Sequence, residues 1–142
     1  MAGSGMVTVQ VRVECNVARA WAAFTDPDAV TQWNFASDDW CCPRAESVLE
    51  PGGTFNYRME ARDGSAGFDF AGTFKEIRPQ QRLRYALGDA REVVVDFLVA
   101  GTTTRVVESF TPEDTFPVEQ QRAGWQAILD NYKRYVERGT SR

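Results

Sequence analysis

Glu108 stands two residues from Val106 and two from Phe110 in a stretch that alternates like a β-strand. A strand that buries those two side chains therefore buries a carboxyl with them. A carboxyl in apolar surroundings must be hydrogen-bonded, ion-paired or protonated. It can then hold the polar end of a bound molecule, or release a proton as a general acid. Arg105, Arg91 and Arg84 are the cations that could neutralise it instead, and a β-bulge would turn it outward. The chain has no histidine, which removes the commonest acid–base group and the commonest metal ligand. Asp38 and Asp39 are adjacent carboxylates in a loop-like stretch, a pattern more typical of turns and caps than of an acid–base pair. Cys15, Cys41 and Cys42 are odd in number and lack CxxC spacing, and neighbouring cysteines rarely reach disulfide geometry. These thiols imply a reducing compartment and no metal site. Cys41 has only Arg44 nearby to lower its pKa, so it reads as a buried or half-buried thiol. There is no phosphate-binding glycine loop, no Ser-His-Asp set and no dinucleotide fingerprint, so no cofactor is expected.

The elements that must position Glu108 follow from periodicity. Val7, Val9, Val11 and Val13 alternate with Thr8, Gln10, Arg12 and Glu14, which predicts a half-buried first strand. Asn16 can cap a helix in which Val17, Ala20, Trp21 and Phe24 recur at helical spacing. Asp26-Pro27 restarts the pattern as a second short helix through Val30 and Trp33. From about Arg44 to Phe110 strands follow one another between turns at 50–53, 62–65, 78–80, Gly88-Asp89 and 100–102, and links this short imply antiparallel neighbours. Phe55, Tyr57 and Met59 share one face, as do Phe68, Phe70 and Phe74, then Leu83, Tyr85 and Leu87, then Val93, Val95, Phe97 and Val99. Glu60 and Asp69 fall on the opposite face, within reach of Arg58, Arg62 or Lys75, and Arg84 also points outward. A long final helix is predicted to open with Thr115 as cap and Pro117 in the first turn, and to stop at Gly139. Its stripe of Val118, Trp125, Ile128, Leu129, Tyr132 and Val136 must lie on the sheet.

Composition narrows the partners. With 43% hydrophobic and 12% aromatic residues in 142, the chain can bury one sizeable core, and a single domain over 6–139 is expected. Met1–Gly5 read as a flexible N-terminus or an expression remnant. Sixteen basic against twenty acidic residues, with no basic run, argue against nucleic acid as a partner. No stretch is apolar for the roughly 20 residues that a membrane helix needs, nor is there a signal peptide, so a cytoplasmic protein that does not bind membranes is expected.

The order β-α-α-β-β-β-β-β-β-α resembles the START-like (SRPBCC, Bet v 1-like) helix-grip superfamily. More specifically it resembles its activator of heat-shock-protein-90 ATPase-like branch. The resemblance is carried by WNFASDDWCCP from Trp33 to Pro43, GGTFNYRMEARDGSAGFDF from Gly52 to Phe70, Glu92 to Phe97, Glu108-Ser109-Phe110, and QQRAGWQAILDNYKRYV from Gln120 to Val136. It implies an α+β fold: a curved antiparallel sheet of about six to seven strands, two short helices after the first strand, and a long C-terminal helix across the sheet. It also implies a cavity between sheet and helix for an apolar small molecule or lipid-like ligand. Some relatives carry a histidine beside the Asp-Trp of the first segment, where this chain has Cys41 after Trp40, so no histidine-based role transfers. The branch takes its name from a co-chaperone that carries a further N-terminal domain. No such domain is expected alongside the single domain read in this sequence, so the resemblance implies binding rather than chaperone activation.

Parity and resemblance together predict a cavity lined by Trp33, Phe35, Trp40, Tyr57, Phe70, Tyr85, Phe97, Trp125, Leu129 and Tyr132, with Glu108 as polar anchor. Trp33, Phe35 and Trp40 are placed at its rim because they cluster in a loop-like stretch rather than at a regular core period. Two other classes of function compete with ligand carriage. One is a polyketide cyclase or aromatase using Glu108 or a tyrosine as general acid, and the other is an interaction module in which the Trp33–Trp40 segment docks on a chaperone or a second copy of the chain.

Overall fold

The computed structural model describes residues 6–88 and 91–140, so Met1–Gly5 and Asp89 of the expected Gly88-Asp89 turn lie outside the described residues. β1 (Val7–Val13) alternates strictly, with its four valines buried and the residues between them exposed. Asn16 then caps α1 (Val17–Thr25), its side chain accepting from the Arg19 N–H at 2.9 Å. Asp26 caps α2 (Pro27–Val30) in the same way through the Asp28 N–H. α2 is one turn shorter than its apolar spacing suggests. Turn-type hydrogen bonds from Trp33 and Asn34 to Val30 close it and swing Trp33 inward.

Six strands follow: β2 (Trp40–Ser47), β3 (Thr54–Ala61), β4 (Gly67–Arg78), β5 (Arg82–Leu87), β6 (Glu92–Ala100) and β7 (Thr103–Phe110). All pair antiparallel in the order β1-β7-β6-β5-β4-β3-β2, and α3 (Val118–Thr140) lies across them, an α+β helix-grip fold. β2 begins at Trp40 rather than near Arg44, because Trp40 already pairs with Ala61. Phe74 pairs with Tyr85 but Glu76 with Arg84, so Lys75 is an extra residue in β4, and Phe74 and Ile77 both join the core across this bulge. β3 pairs with the first half of β4 and β5 with the second, so the β3–β4 hairpin overhangs β5 and carries Phe68 and Phe70 toward the helix.

Some expected core positions are exposed. Val99 is 66% exposed, because β5 pairs with β6 only as far as Asp96 and nothing covers the end of β6. Val118 is also exposed, since the helix starts there. Thr115 is not its cap: the Pro117 carbonyl accepts from the Gln120 and Gln121 N–H groups. Nor does Gly139 stop α3, which runs on to Thr140.

Leu129, Tyr132 and Val136 of α3 are almost completely buried. The helix does a second job at its polar flank. β1 is an edge strand, and its outward carbonyls at Thr8, Gln10 and Arg12 accept from Arg122 Nη1 (3.2 Å), Gln126 Nε2 (3.1 Å) and Lys133 Nζ (2.6 Å). Residues at helical spacing thus satisfy alternate residues of a strand, which blunts an edge that could otherwise pair with another chain.

Candidate functional site

Between the inner face of the sheet and the first half of α3 lies a cavity of about 230 Å³. Its wall is aromatic: Phe55 and Tyr57 from β3, Phe68, Phe70 and Phe74 from β4, Tyr85 from β5, Trp125 from α3, and Phe24 and Trp33 from the segment after β1. Asn34, Met59, Leu83, Ile128 and Leu129 complete the lining, and Arg91 and Glu113 come from the loops after β5 and β7. One glycine is required for this packing. A Cβ on Gly72 would stand 2.4 Å from the Ala86 carbonyl oxygen and 2.9 Å from the Phe55 ring, so only glycine lets Phe55 lie over β4.

Glu108 is the acid of this cavity. Its neighbours across the sheet are Val9 and Val95, and only 7% of it is exposed. None of the three candidate cations neutralises it. Arg84 is on the outer face with Glu76 and Glu92, and Arg105 donates to Gln10 Oε1 there. Arg91 lies 3.9 Å from the Glu113 carboxylate. Among the described residues no hydrogen bond or ion pair to the Glu108 carboxyl forms, and its oxygens open onto the cavity rather than being sealed in the core. Burial without a partner pushes its pKa up to about 8, so the group is largely protonated at neutral pH. Burial likewise raises the phenols of Tyr57 and Tyr85 above the ordinary range, and Tyr85 is close enough to feel the charge of both Glu108 and Tyr57. Three polar groups thus line one apolar chamber. They could anchor a ligand's polar atoms or deliver a proton to it.

Trp125 closes the chamber from above, stacked on Phe110 and edge-on to Phe70. Glu113 is held in place by Gln121, whose side chain accepts from the Glu113 N–H and donates to the Glu113 and Phe116 carbonyls.

Of the residues predicted from the sequence, Trp33, Tyr57, Phe70, Tyr85, Glu108, Trp125 and Leu129 come together around the cavity. Four do not. Phe97 packs under Trp21 and Phe24, with ring centroids 5.2 and 5.6 Å away. Tyr132 is fully buried between Phe24 and Trp33, where its hydroxyl donates to the Ala20 carbonyl at 2.6 Å. Phe35 is half-buried with the Arg62 guanidinium over its ring, and its carbonyl accepts from Asn131. Trp40 leans on Phe68 at the start of edge strand β2. The turn closing α2 explains the last two: it pulls Trp33 and Asn34 inward and leaves Phe35 and Trp40 outside the cavity. Phe55, Met59, Phe68, Phe74 and Leu83 were readable by parity as the same face. Arg91, Glu113 and Gln121 had no periodic signal.

The outward groups are paired as parity suggests, Arg58 reaching Glu60 at 2.9 Å and Asp69 at 3.6 Å. Asp38 and Asp39 are exposed and serve through their carbonyls, which accept from Arg62. Cys15 and Cys42 are buried, which raises both thiol pKa values, and Cys41 is half-buried. Among the described residues no three Cys, Asp or Glu side chains are grouped as a metal ion would require. No described helix is long and apolar enough to cross a membrane.

The fold is shared with solved structures. A solution structure of an AHSA1-like protein from Aeromonas hydrophila is 42% identical, with 96% of this chain and 95% of that chain covered and a TM-score of 0.90. Chr148 from Cytophaga hutchinsonii is 39% identical over 97% and 96% of the two chains, with a TM-score of 0.82. CalU16 from Micromonospora echinospora, at 17% identity and a TM-score of 0.71 over 96% of this chain and 78% of its own, shares the fold alone. No curated protein matches the chain. Residues 14–137, from the end of β1 to near the end of α3, match the family described as activator of Hsp90 ATPase homolog 1-like protein, and to that family this chain belongs.

Proposed function

We propose that the protein binds a small, largely aromatic molecule in the cavity between sheet and helix, with Glu108 as the polar anchor. The observation that carries this reading is a chamber walled by aromatic side chains in which Glu108, the one buried carboxyl among the described residues, has no partner among them. Buried polar groups are ordinarily satisfied, so a lone one facing open space invites a water or a ligand. The volume suits a ligand of about ten to twelve non-hydrogen atoms at protein packing density. Native mass spectrometry of the protein purified from its own cells, set against its denatured mass, tests this directly. An added mass of a small organic molecule, lost on Trp125→Ala, is the expected result. A bare protein that also takes up no aromatic compound from a panel would count decisively against it.

A second reading rests on the same carboxyl. A group protonated near neutrality and facing an aromatic cavity could act as general acid in a cyclisation or aromatisation. Turnover of a cyclisable aromatic precursor by the wild type, abolished in Glu108→Gln, would favour catalysis over carriage.

A further inference from the structure

We infer that the cavity is built for an organic cation: a small aromatic molecule bearing a protonated amine, with the Glu108 carboxylate as counter-ion and Tyr57, Tyr85 and Trp125 around it. This rests on the reading that the cavity takes a ligand, and it names the class.

Two independent features point to positive charge. The first is the wall, since ring faces carry negative potential and attract a cation that has left water. The second is Glu108, 93% withdrawn from solvent and aimed into that wall without a described partner. An anionic ligand would face the negative ring faces of this wall, which repel it. A neutral carbonyl compound would accept one hydrogen bond from Glu108, but would leave the aromatic enclosure without electrostatic purpose. A primary ammonium offers three donors and no acceptor, which suits a chamber whose lining includes a carboxylate and two phenol oxygens.

The groups around Glu108 do not oppose this. β1 and β6 present Val9 and Val95, β5 presents Tyr85, β3 Tyr57 and α3 Trp125. The further charges at the cavity are Arg91 and Glu113, which face each other at 3.9 Å. The acid is protonated below about pH 8, so an ammonium that binds there must expel that proton. Amine affinity should therefore rise about tenfold per pH unit below that point and level off above it, until the amine itself deprotonates.

The test uses three compounds of one shape, 2-naphthylmethylamine, 2-naphthylmethanol and 2-methylnaphthalene. Each is titrated into the full chain at pH 8 while the indole N–H signals of Trp33 and Trp125 are followed by NMR. The expected result is that the amine binds about tenfold or more tighter than the alcohol, and that Glu108→Gln abolishes the preference. Calorimetry at pH 7 in buffers of different ionisation enthalpy should show release of about one proton by the wild type, a readout independent of whether the variant folds. Alcohol or hydrocarbon binding as tightly as the amine would overturn the cation assignment and leave the cavity reading standing. No indole shift with any of the three would overturn both.

Discussion

Trp125 lies flat on Phe110, the two ring centroids 4.0 Å apart and the planes 9° from parallel. The pair pins α3 to β7 two residues from Glu108, so one side chain both seals the core and roofs the cavity. Trp125→Ala should cost about 3 kcal/mol in urea denaturation, the scale of a large aromatic truncation in a packed site. Trp125→Phe, which keeps a ring on Phe110, should cost about 1 kcal/mol. Equal losses for the two variants would mean that the stacked contact contributes little.

Glu108 gives the protein a pH dependence opposite in sign to that of a salt-bridged acid. Its folded pKa of about 8 lies above the ordinary carboxyl value of 4.5, so between those limits the folded state holds a proton that the unfolded state has lost. Stability is then fully present below the unfolded value and falls as pH rises, by about 1.4 kcal/mol per unit, until the folded group ionises. Glu108→Gln should flatten this fall and leave the variant more stable than the wild type at pH 8. Denaturation midpoints at pH 5, 6.5 and 8 decide it, and parallel profiles would show that the carboxyl is compensated.

Tyr132 separates stability from binding. Its hydroxyl is buried on the Ala20 carbonyl and it does not face the cavity. Tyr132→Phe should destabilise by about 1 kcal/mol by removing that buried hydrogen bond. Affinity for any cavity ligand should stay within a factor of two, as measured by the same indole shifts. A large loss of affinity would place Tyr132 in the binding wall after all.

The clasp on the sheet edge should matter for solubility as much as for stability. Replacing Arg122, Gln126 and Lys133 together by alanine frees the Thr8, Gln10 and Arg12 carbonyls. A loss of about 1–2 kcal/mol is expected, because the bonds are exposed. Amide exchange along β1 should quicken, and light scattering should show self-association through the opened edge. Unchanged exchange at Val9 and Val11 would show that the clasp is dispensable.

The fold was largely legible in the sequence because period two and period 3.6 are local. Val7 to Val13, Asn16, Asp26-Pro27 and the Leu129, Tyr132, Val136 spacing each declare an element from its own residues. The inward direction of Glu108 follows from the same parity, since it shares the face of Val106 and Phe110. What parity cannot say is how far a neighbouring strand extends. Val99 keeps the alternation of Phe97 and yet faces water, because β5 ends its pairing at Asp96.

The sequence by itself therefore determined the element order, the aromatic face and the presence of one carboxyl on it. The tertiary structure alone decided which aromatics enclose space and which fill it. Phe97 and Tyr132 have the same apolar credentials as Tyr85 and Trp125, but α1 and α2 pack Trp21, Phe24 and Trp33 against them and leave no gap. It also decided that Arg84, Arg91 and Arg105 are engaged elsewhere. The physical reason is that facing and partnering depend on contacts between segments far apart in the chain, whereas periodicity records only the geometry of one segment.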